Sequence, residues 1–129
     1  MKGKKMPEDI VVSIVDDDAS VRRSTRRLLR SSGFRAEAFA SAEEFLESKS
    51  AAKTACLILD LRMPGMSGLE LQRRLTQNGD PVPIIFLSAH ASEEDERFAL
   101  RAGAVQFLRK PSSKEALLGA IRDALKRLI

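Results

Sequence analysis

Residues 55–71 read ACLILDLRMPGMSGLEL and span one predicted strand and the start of the helix that follows it. The apolar run at residues 55–59 is short and uninterrupted, which is typical of a strand that is buried on both faces. Asp60 ends the run, and the Met-Pro-Gly segment at residues 63–65 breaks the chain. Leucines at helical spacing then predict a helix over residues 67–77. The stretch therefore predicts a buried strand that ends in a carboxylate and is followed by a helix.

Four similar units flank this one. Apolar runs predict strands at residues 10–15, 34–40, 84–87 and 105–108, and helices are expected at residues 20–32, from 41, from 92 and over 113–128. Apolar strands that alternate with helices favour a parallel sheet covered on both faces. We therefore predict an α/β fold, with one doubly wound domain built on a five-stranded parallel sheet.

Length and composition agree with that fold. The chain has 129 residues, 43% of them hydrophobic and 31% charged, which suits a single globular domain. No apolar run approaches the roughly 20 residues of a membrane span, and the basic start lacks the apolar stretch of a secretion signal. Cys56 is the single cysteine, so it forms no internal disulfide, and no zinc-type cluster is present. We expect a cytoplasmic protein with no membrane contact, an N-terminal extension at 1–9 and one domain at 10–129.

The net charge of +4 comes largely from one predicted helix. Its arginines are Arg22, Arg23, Arg26, Arg27 and Arg30. They form either a solvated helix face or a docking surface for an acidic partner, and the sequence leaves both open. With no Trp or Tyr and six Phe, a base-stacking platform is poorly supported. Contact with DNA is therefore expected only through another domain.

Polar residues follow four of the five predicted strands. They are the three aspartates Asp16, Asp17 and Asp18, then Asp60, Ser88 and Lys110. The carboxyl ends of parallel strands share one edge of a sheet, where ligands of open α/β folds bind. Clustered carboxylates resist ionisation, and a hard divalent cation removes that conflict. Since neither His nor Cys accompanies the carboxylates, Mg²⁺ is the expected ion.

An aspartate beside Mg²⁺ can attack phosphorus and form an aspartyl-phosphate. The transferred group spreads negative charge over its oxygens, which Lys110 and the hydroxyl of Ser88 would help to stabilise. Asp18 is better placed to cap the first helix than to bind metal. His90 is expected in a surface loop, with a place at the border of the phosphoryl site as the alternative. Cys56 is expected to be a small core residue.

The segments IVDDD, LDLRMPGMSGLEL, IIFLSAH and GAVQFLRKP occur in this order between residues 10 and 128. Together they resemble the receiver domains of two-component response regulators. DLRMPGMSG and GAVQFLRKP are most similar to receivers of the nitrogen-fixation type, which usually precede a LuxR-like DNA-binding domain. The resemblance implies a flavodoxin-like (βα)5 fold with strand order 2-1-3-4-5. It also implies a sensor histidine kinase as phosphoryl donor and an output in transcription.

The resemblance assigns roles around the metal. Asp16 and Asp17 would hold Mg²⁺ directly or through water, and Asp60 would accept the phosphoryl group and bind the ion. Arg62 would offer its backbone carbonyl to the metal, so its side chain would be free to vary.

Further roles belong to the switch. Ser88 and Lys110 would contact the phosphoryl group, and Phe107 would rotate as Ser88 moves. The bond between Lys110 and Pro111 would be cis, which only X-Pro bonds adopt cheaply. Phosphorylation would bias the face made by the fourth helix and fifth strand, which is a possible homodimer surface.

Two features depart from the family pattern. Ser112 stands where a Phe is usual, so an apolar contact near the last helix is expected to be missing. An acidic run at residues 93–96 opens the fourth helix. Its charge suggests contact with Arg109, Lys114 or Arg122 of a second copy.

Two alternatives differ in class. A phosphatase of the haloacid dehalogenase kind also uses an aspartyl-phosphate, but it needs an acid two residues after the nucleophile, where Arg62 stands. The other is a receiver-like binding module that works without phosphorylation. Neither a P-loop nor a dinucleotide-binding motif occurs. We predict no turnover enzyme, only self-phosphorylation and self-dephosphorylation.

Overall fold

The computed structural model of the protein describes residues 10–126, so the expected extension at residues 1–9 lies outside it. The strands are β1 (Val11–Val15), β2 (Arg35–Phe39), β3 (Thr54–Leu59), β4 (Ile84–Ser88) and β5 (Gln106–Arg109). The helices are α1 (Ala19–Ser31), α2 (Ala42–Glu47), α3 (Gly68–Gln77), α4 (Glu93–Arg101) and α5 (Lys114–Lys126), with a 3-10 turn at Ala51–Lys53.

The five strands form one parallel sheet in the order β2-β1-β3-β4-β5. This confirms the doubly wound fold and the strand order. In register, Val15 of β1 lies beside both Phe39 of β2 and Leu59 of β3. The residues that follow Val15 and Leu59 are Asp16 and Asp60, so the sheet brings these two carboxylates to neighbouring strand ends.

Two apolar cores cover the faces of the sheet. One face packs strand residues such as Leu59 and Phe86 against side chains from α2 and α3, including Phe45. The other packs residues such as Ile58 against side chains from α1 and α5, including Leu29. Successive side chains of a strand point to opposite faces of the sheet. The side chains on both faces of each central strand must therefore be apolar.

Side-chain caps begin the helices close to the predicted positions. Asp18 accepts hydrogen bonds from the backbone N–H groups of Ser20 (2.9 Å) and Val21 (3.3 Å), which confirms its capping role. At the start of α4, Ser92 and Asp95 each accept a bond from the other's backbone N–H and complete a capping box. Such caps stabilise a helix by about 1 kcal/mol.

The strand bounds differ from the predicted ones by a residue at most ends, and the core residues of α1 were predicted in part. β5 begins one residue later than predicted, because Val105 precedes the ladder and donates its N–H to the carbonyl of Ile84. In α1 the expected core residues were Val21, Leu28 and Leu29, and only Leu29 is fully enclosed. Thr25, one turn before Leu29 on the same helix face, is buried as well, while Val21 and Leu28 are half-buried. Within residues 10–126, no helix combines the length and apolar character needed to cross a membrane.

Candidate functional site

Three carboxylates meet at the carboxyl edge of β1 and β3. The N–H of Asp60 donates to the carbonyl of Val15 (2.9 Å), which holds the end of β3 against the end of β1. One oxygen from each of Asp16, Asp17 and Asp60 lies within 4.8 Å of the others. Asp16 and Asp60 are 3% and 7% exposed, whereas Asp17 faces solvent. The three acids predicted at the ends of two separate strands therefore form one cluster.

This cluster fits a hard divalent cation. All its donors are carboxylate oxygens, with neither His nor Cys among them. Mg²⁺ binds oxygen at 2.0–2.1 Å, so ligands on opposite sides of the ion stand about 4.2 Å apart. Neighbouring ligands of the octahedron stand about 3 Å apart, and both spacings lie within the 4.8 Å that bounds the three oxygens of the cluster. The exposed side, at Asp17, is open to the waters that Mg²⁺ retains.

Lys110 brings a positive charge to the same cluster from β5. Its Nζ lies 2.8 Å from Oδ2 of Asp16 and 3.7 Å from Oδ2 of Asp60. Its backbone N–H donates to the carbonyl of Ser88 (2.9 Å), and its bond to Pro111 is cis, as the resemblance implied. Burial by itself would lower the pKa of Lys110, but the hydrogen bond and charge of Asp16, with the charge of Asp60, hold it above its usual value.

Asp60 carries the strongest electrostatic conflict of the cluster. Burial, followed by the charge of Asp16, raises the pKa of Asp60 to about 6, and Asp17 adds to the rise while Lys110 opposes it. The carboxylate of Asp60 is thus destabilised by loss of water and by like charges. A cation held by the three acids would relieve this conflict.

Two switch candidates lie on β4 and β5. Ser88 ends β4 and is buried. Phe107 is buried too, with its ring stacked on Phe86 at 5.6 Å between centroids. The guanidinium of Arg109 lies 5.6 Å from the centroid of the Phe107 ring. The structure places Ser88 beside Lys110, while the contact of Ser88 with a phosphoryl group and the rotation of Phe107 stay predictions.

The side chain of Arg62 contacts the segment between β4 and α4, while the expectation that this side chain is free to vary stays a prediction. Its Nε donates to the carbonyl of His90 (3.0 Å), and its Nη2 pairs with Oδ2 of Asp95 (2.7 Å). His90 is exposed, and the group that its loop supplies here is a backbone carbonyl. The carbonyl of Arg62 itself remains only a predicted metal ligand.

Sequence analysis also missed two residues that shape the segment between β3 and α3. Glu43, on α2, accepts the N–H of Met66 (3.0 Å) through its Oε2. A hydrogen bond from its own backbone N–H, followed by the bond from Met66, lowers the pKa of Glu43. Gly68 lies so close to the carbonyl oxygen of Asp60 that a Cβ would overlap it and stand 3.0 Å from Cε1 of Phe86. Glycine at a helix start is a weak sequence signal, and the separation of Glu43 from Met66 along the chain gives none.

Two other features border the site. Arg22 donates to the carbonyl of Asp16 (2.7 Å), and Arg26 donates to that of Ala36 (3.2 Å). Arg23, Arg27 and Arg30 are exposed, which leaves open the choice between a solvated face and a docking surface. Ser112 lines an open cleft of about 610 Å³ between α1 and α5, and the loss of an apolar contact there stays a prediction.

Comparison with known proteins decides the family. The sequence model of the response regulator receiver domain matches residues 12–122. The chain belongs to this family. It is 47% identical to the response regulator protein TmoT of Ectopseudomonas mendocina over 119 residues, which cover 92% of this chain and 54% of TmoT. It is 38% identical to the transcriptional regulatory protein FixJ of Azorhizobium caulinodans, covering 95% of this chain and 58% of FixJ.

Among solved structures, a low-resolution structure of the response regulator StyR is similar with a TM-score of 0.86 and 48% identity, covering 92% of this chain and 60% of that chain. The likeness to FixJ confirms the resemblance to nitrogen-fixation-type receivers. The chain spans little more than half the length of the curated relatives it matches. Receiver domains of response regulators are generally not catalytic enzymes, typically use Mg²⁺, and are partners of histidine kinases.

Proposed function

We propose that this receiver domain is a phosphorylation-controlled switch in which Asp60 accepts a phosphoryl group from a sensor histidine kinase. The observation that supports this most is the convergence of Asp16, Asp17 and Lys110 on Asp60 at one edge of the sheet. Asp60 combines burial with like-charged neighbours, as expected of a nucleophile that works with a bound cation.

The proposed transfer is an in-line displacement at phosphorus. A carboxylate oxygen of Asp60 forms a bond to phosphorus while the bond from phosphorus to the donor nitrogen breaks, and the donor keeps that electron pair. In the second step of the cycle, water attacks phosphorus and the bond from phosphorus to Asp60 breaks. This step releases inorganic phosphate and restores the carboxylate of Asp60. Mg²⁺, when bound, would neutralise charge on the phosphoryl oxygens.

Each neighbouring residue has a proposed task. Asp16, Asp17 and the carbonyl of Arg62 would complete the metal site with Asp60. Lys110 would turn from Asp16 towards the phosphoryl oxygens, a short movement because its Nζ already lies 3.7 Å from Asp60. The hydroxyl of Ser88 would donate to the same oxygens.

We further propose that phosphorylation biases two arrangements of the α4–β5 face, with rotation of Phe107 following the movement of Ser88. That face is a possible homodimer surface, since Phe98 and Leu100 of α4 are 61% and 41% exposed. Arg109 pairs with Glu96 of its own chain, so Lys114 and Arg122 are the better candidates for contact with the acidic run of a second copy.

DNA would be reached only through an output domain, and a cytoplasmic setting is expected.

Incubation with acetyl phosphate, with and without Mg²⁺, tests the proposal by intact mass. We expect one phosphoryl adduct that requires Mg²⁺ and is absent from Asp60→Asn. Acetate is the leaving group in this reaction, so no kinase is needed. An adduct that forms equally on Asp60→Asn would contradict the assignment of the acceptor.

The alternative of a phosphorylation-independent binding module is not favoured, because the acids and the lysine of the phosphoryl site are assembled. A folded wild-type protein that forms no adduct and binds no Mg²⁺ would support this alternative. The phosphatase alternative is not favoured, because position 62 holds an arginine where that chemistry needs an acid. The side chain of Arg62 contacts His90 and Asp95 instead.

A further inference from the structure

Two arginines hold the segment between β4 and α4 from opposite sides. On one side Arg62, in the segment after β3, uses both ends of its guanidinium. Its Nε donates to the carbonyl of His90 (3.0 Å), and its Nη2 donates to the carboxylate of Asp95 (2.7 Å). Arg62 therefore binds the loop that follows β4 and the first turn of α4 together.

On the other side, Arg109 at the end of β5 makes a similar pair of hydrogen bonds, one to a carbonyl and one to a carboxylate. We call each such pair a fork. The Nη1 of Arg109 donates to the carbonyl of Ala91 (2.6 Å), and its Nη2 donates to Oε1 of Glu96 (2.9 Å). The guanidinium also lies over the ring of Phe107, 5.6 Å from the centroid. Arg109 thus connects the loop, the first turn of α4 and the aromatic residue proposed to rotate.

The two forks use neighbouring groups throughout. They bind consecutive carbonyls, those of His90 and Ala91, and consecutive acids, Asp95 and Glu96. Asp95 has further support, since hydrogen bonds from Ser92, followed by the charge of Arg62, lower its pKa and keep it ionised. The segment is held to the loop after β3 by one fork and to β5 by the other.

We propose that Arg62 and Arg109 are a pair of latches that hold the β4–α4 segment in its unphosphorylated arrangement. The inference rests on the proposed function, because movement of Ser88 towards a phosphoryl group on Asp60 must carry the next residues with it. His90 and Ala91 lie two and three residues after Ser88, so this movement alters the latch bonds. Bonds that exist only in the unphosphorylated arrangement lower the population of the switched one.

The size of the effect follows from the exposure of the two pairs. Arg62 and Arg109 have side chains that are 63% and 43% exposed, so each pair is a surface ion pair. Release of one such pair is expected to raise the switched fraction about 1.4- to fivefold. Release of both is expected to multiply the two factors if the latches are independent.

The test uses the acidic partners, so that the residues of the phosphoryl site stay intact. Asp95→Asn removes the charge but keeps an oxygen for the N–H of Ser92, and Glu96→Gln removes the charge facing Arg109. Glu94→Gln is the matched control, because it loses the same charge from the same turn and Glu94 pairs with neither arginine. Arg109→Gln removes both hydrogen bonds of Arg109. It is therefore expected to raise the switched fraction more than Glu96→Gln does.

Amide resonances of the α4–β5 face, recorded by NMR in each protein, report the arrangement. Wild type with Mg²⁺ and beryllofluoride, a phosphoryl mimic, defines the switched end. Without the mimic, we expect the amide resonances of the double variant Asp95→Asn/Glu96→Gln to lie between those of free wild type and those of wild type with beryllofluoride. The double variant should also need several-fold less beryllofluoride for half-maximal change, whereas Glu94→Gln should match wild type. Added salt should move wild type in the same direction, since it screens exposed pairs.

Two outcomes are decisive and distinct. A wild-type protein with no Mg²⁺-dependent response to beryllofluoride contradicts the proposed function and the latches with it. A normal wild-type response, with the double variant unchanged or moved away from the switched end, contradicts the latches alone.

Discussion

At the residue scale, the carboxyl group of Asp60 lies where its charge is poorly tolerated. Burial and the charge of Asp16 raise its pKa to about 6. For an acid whose pKa is higher in the folded protein than in the unfolded chain, the folded state holds the proton more tightly. Its contribution to stability is therefore greatest below the unfolded pKa and is lost as the pH rises towards 6.

This sign predicts that Asp60→Asn stabilises the metal-free protein at neutral pH. At pH 7 the amide removes a repelled, buried charge, and the expected gain is about 1–2 kcal/mol in the free energy of unfolding. At pH 4 most of the gain should vanish, because the wild-type carboxyl group is then protonated. Urea unfolding at both pH values, without Mg²⁺, measures the difference. A variant less stable than wild type at pH 7 would refute the electrostatic account.

Single residues differed in how well the sequence predicted them. Asp16, Asp60 and Lys110 were predictable because each follows a strand, and the carboxyl ends of parallel strands meet. The side chain of Arg62 was not predictable, because its partners lie 28 and 33 residues away and only the folded chain brings them near.

At the element scale, the segment between β3 and α3 depends on close packing at Gly68. A Cβ there would overlap the carbonyl oxygen of Asp60. We expect Gly68→Ala to cost about 1–3 kcal/mol of stability, as overpacking does, and to slow formation of the Asp60 adduct. Chemical unfolding and intact mass measure the two effects.

A matched control exists on α5. At Gly119 an added Cβ would meet only Nη2 of Arg122, at 4.0 Å, and glycine is a poor helix residue. Gly119→Ala should therefore leave adduct formation unchanged and raise stability by up to about 1 kcal/mol. Equal losses in both variants would argue that the crowding at Gly68 is not the cause.

Glu43 ties α2 to the same segment. Glu43→Ala removes the acceptor of the Met66 N–H, so we expect a lower melting temperature and a higher Mg²⁺ concentration for half-maximal adduct formation. Glu43→Gln keeps an acceptor oxygen and should restore most of both properties. Thermal unfolding and a Mg²⁺ titration check this, and a Gln variant as impaired as the Ala variant would show that charge, not the hydrogen bond, matters.

Element boundaries were predicted best where side chains mark them. Asp18 and Ser92 cap α1 and α4 as expected, since their oxygens compete for the first free N–H groups. The predicted start of β5 was one residue too early. Val105 continues the apolar pattern, but the first residue that pairs with β4 is Gln106. Thr25 was not recognised as a core residue because its polarity hides the face that it shares with Leu29.

At the scale of the whole molecule, the alternation of apolar strands and helices predicted the parallel sheet but not the order of its strands. Alternation requires helices on both faces and does not say which strand lies next to which. The order 2-1-3-4-5 came from the family resemblance, and the structure confirms it. The site depends on that order, since it makes β1 and β3 neighbours.

The exposed apolar side chains of α4 lead to a prediction about assembly. With Phe98 and Leu100 uncovered, we expect beryllofluoride and Mg²⁺ to promote a homodimer through the α4–β5 face. Sedimentation with and without the mimic measures this, and Phe98→Ser should weaken the association. An unchanged monomer at high protein concentration rules the dimer out.

The most direct test of the switch is to locate the phosphoryl group itself. Acetyl phosphate and Mg²⁺ would be added, the acyl phosphate reduced with borohydride, and the peptides sequenced by mass spectrometry. Reduction converts a phosphorylated aspartate to homoserine, and we predict homoserine at position 60 alone. Homoserine at Asp16 or Asp17, or an adduct on His90 with Asp60 unmodified, would contradict the central claim.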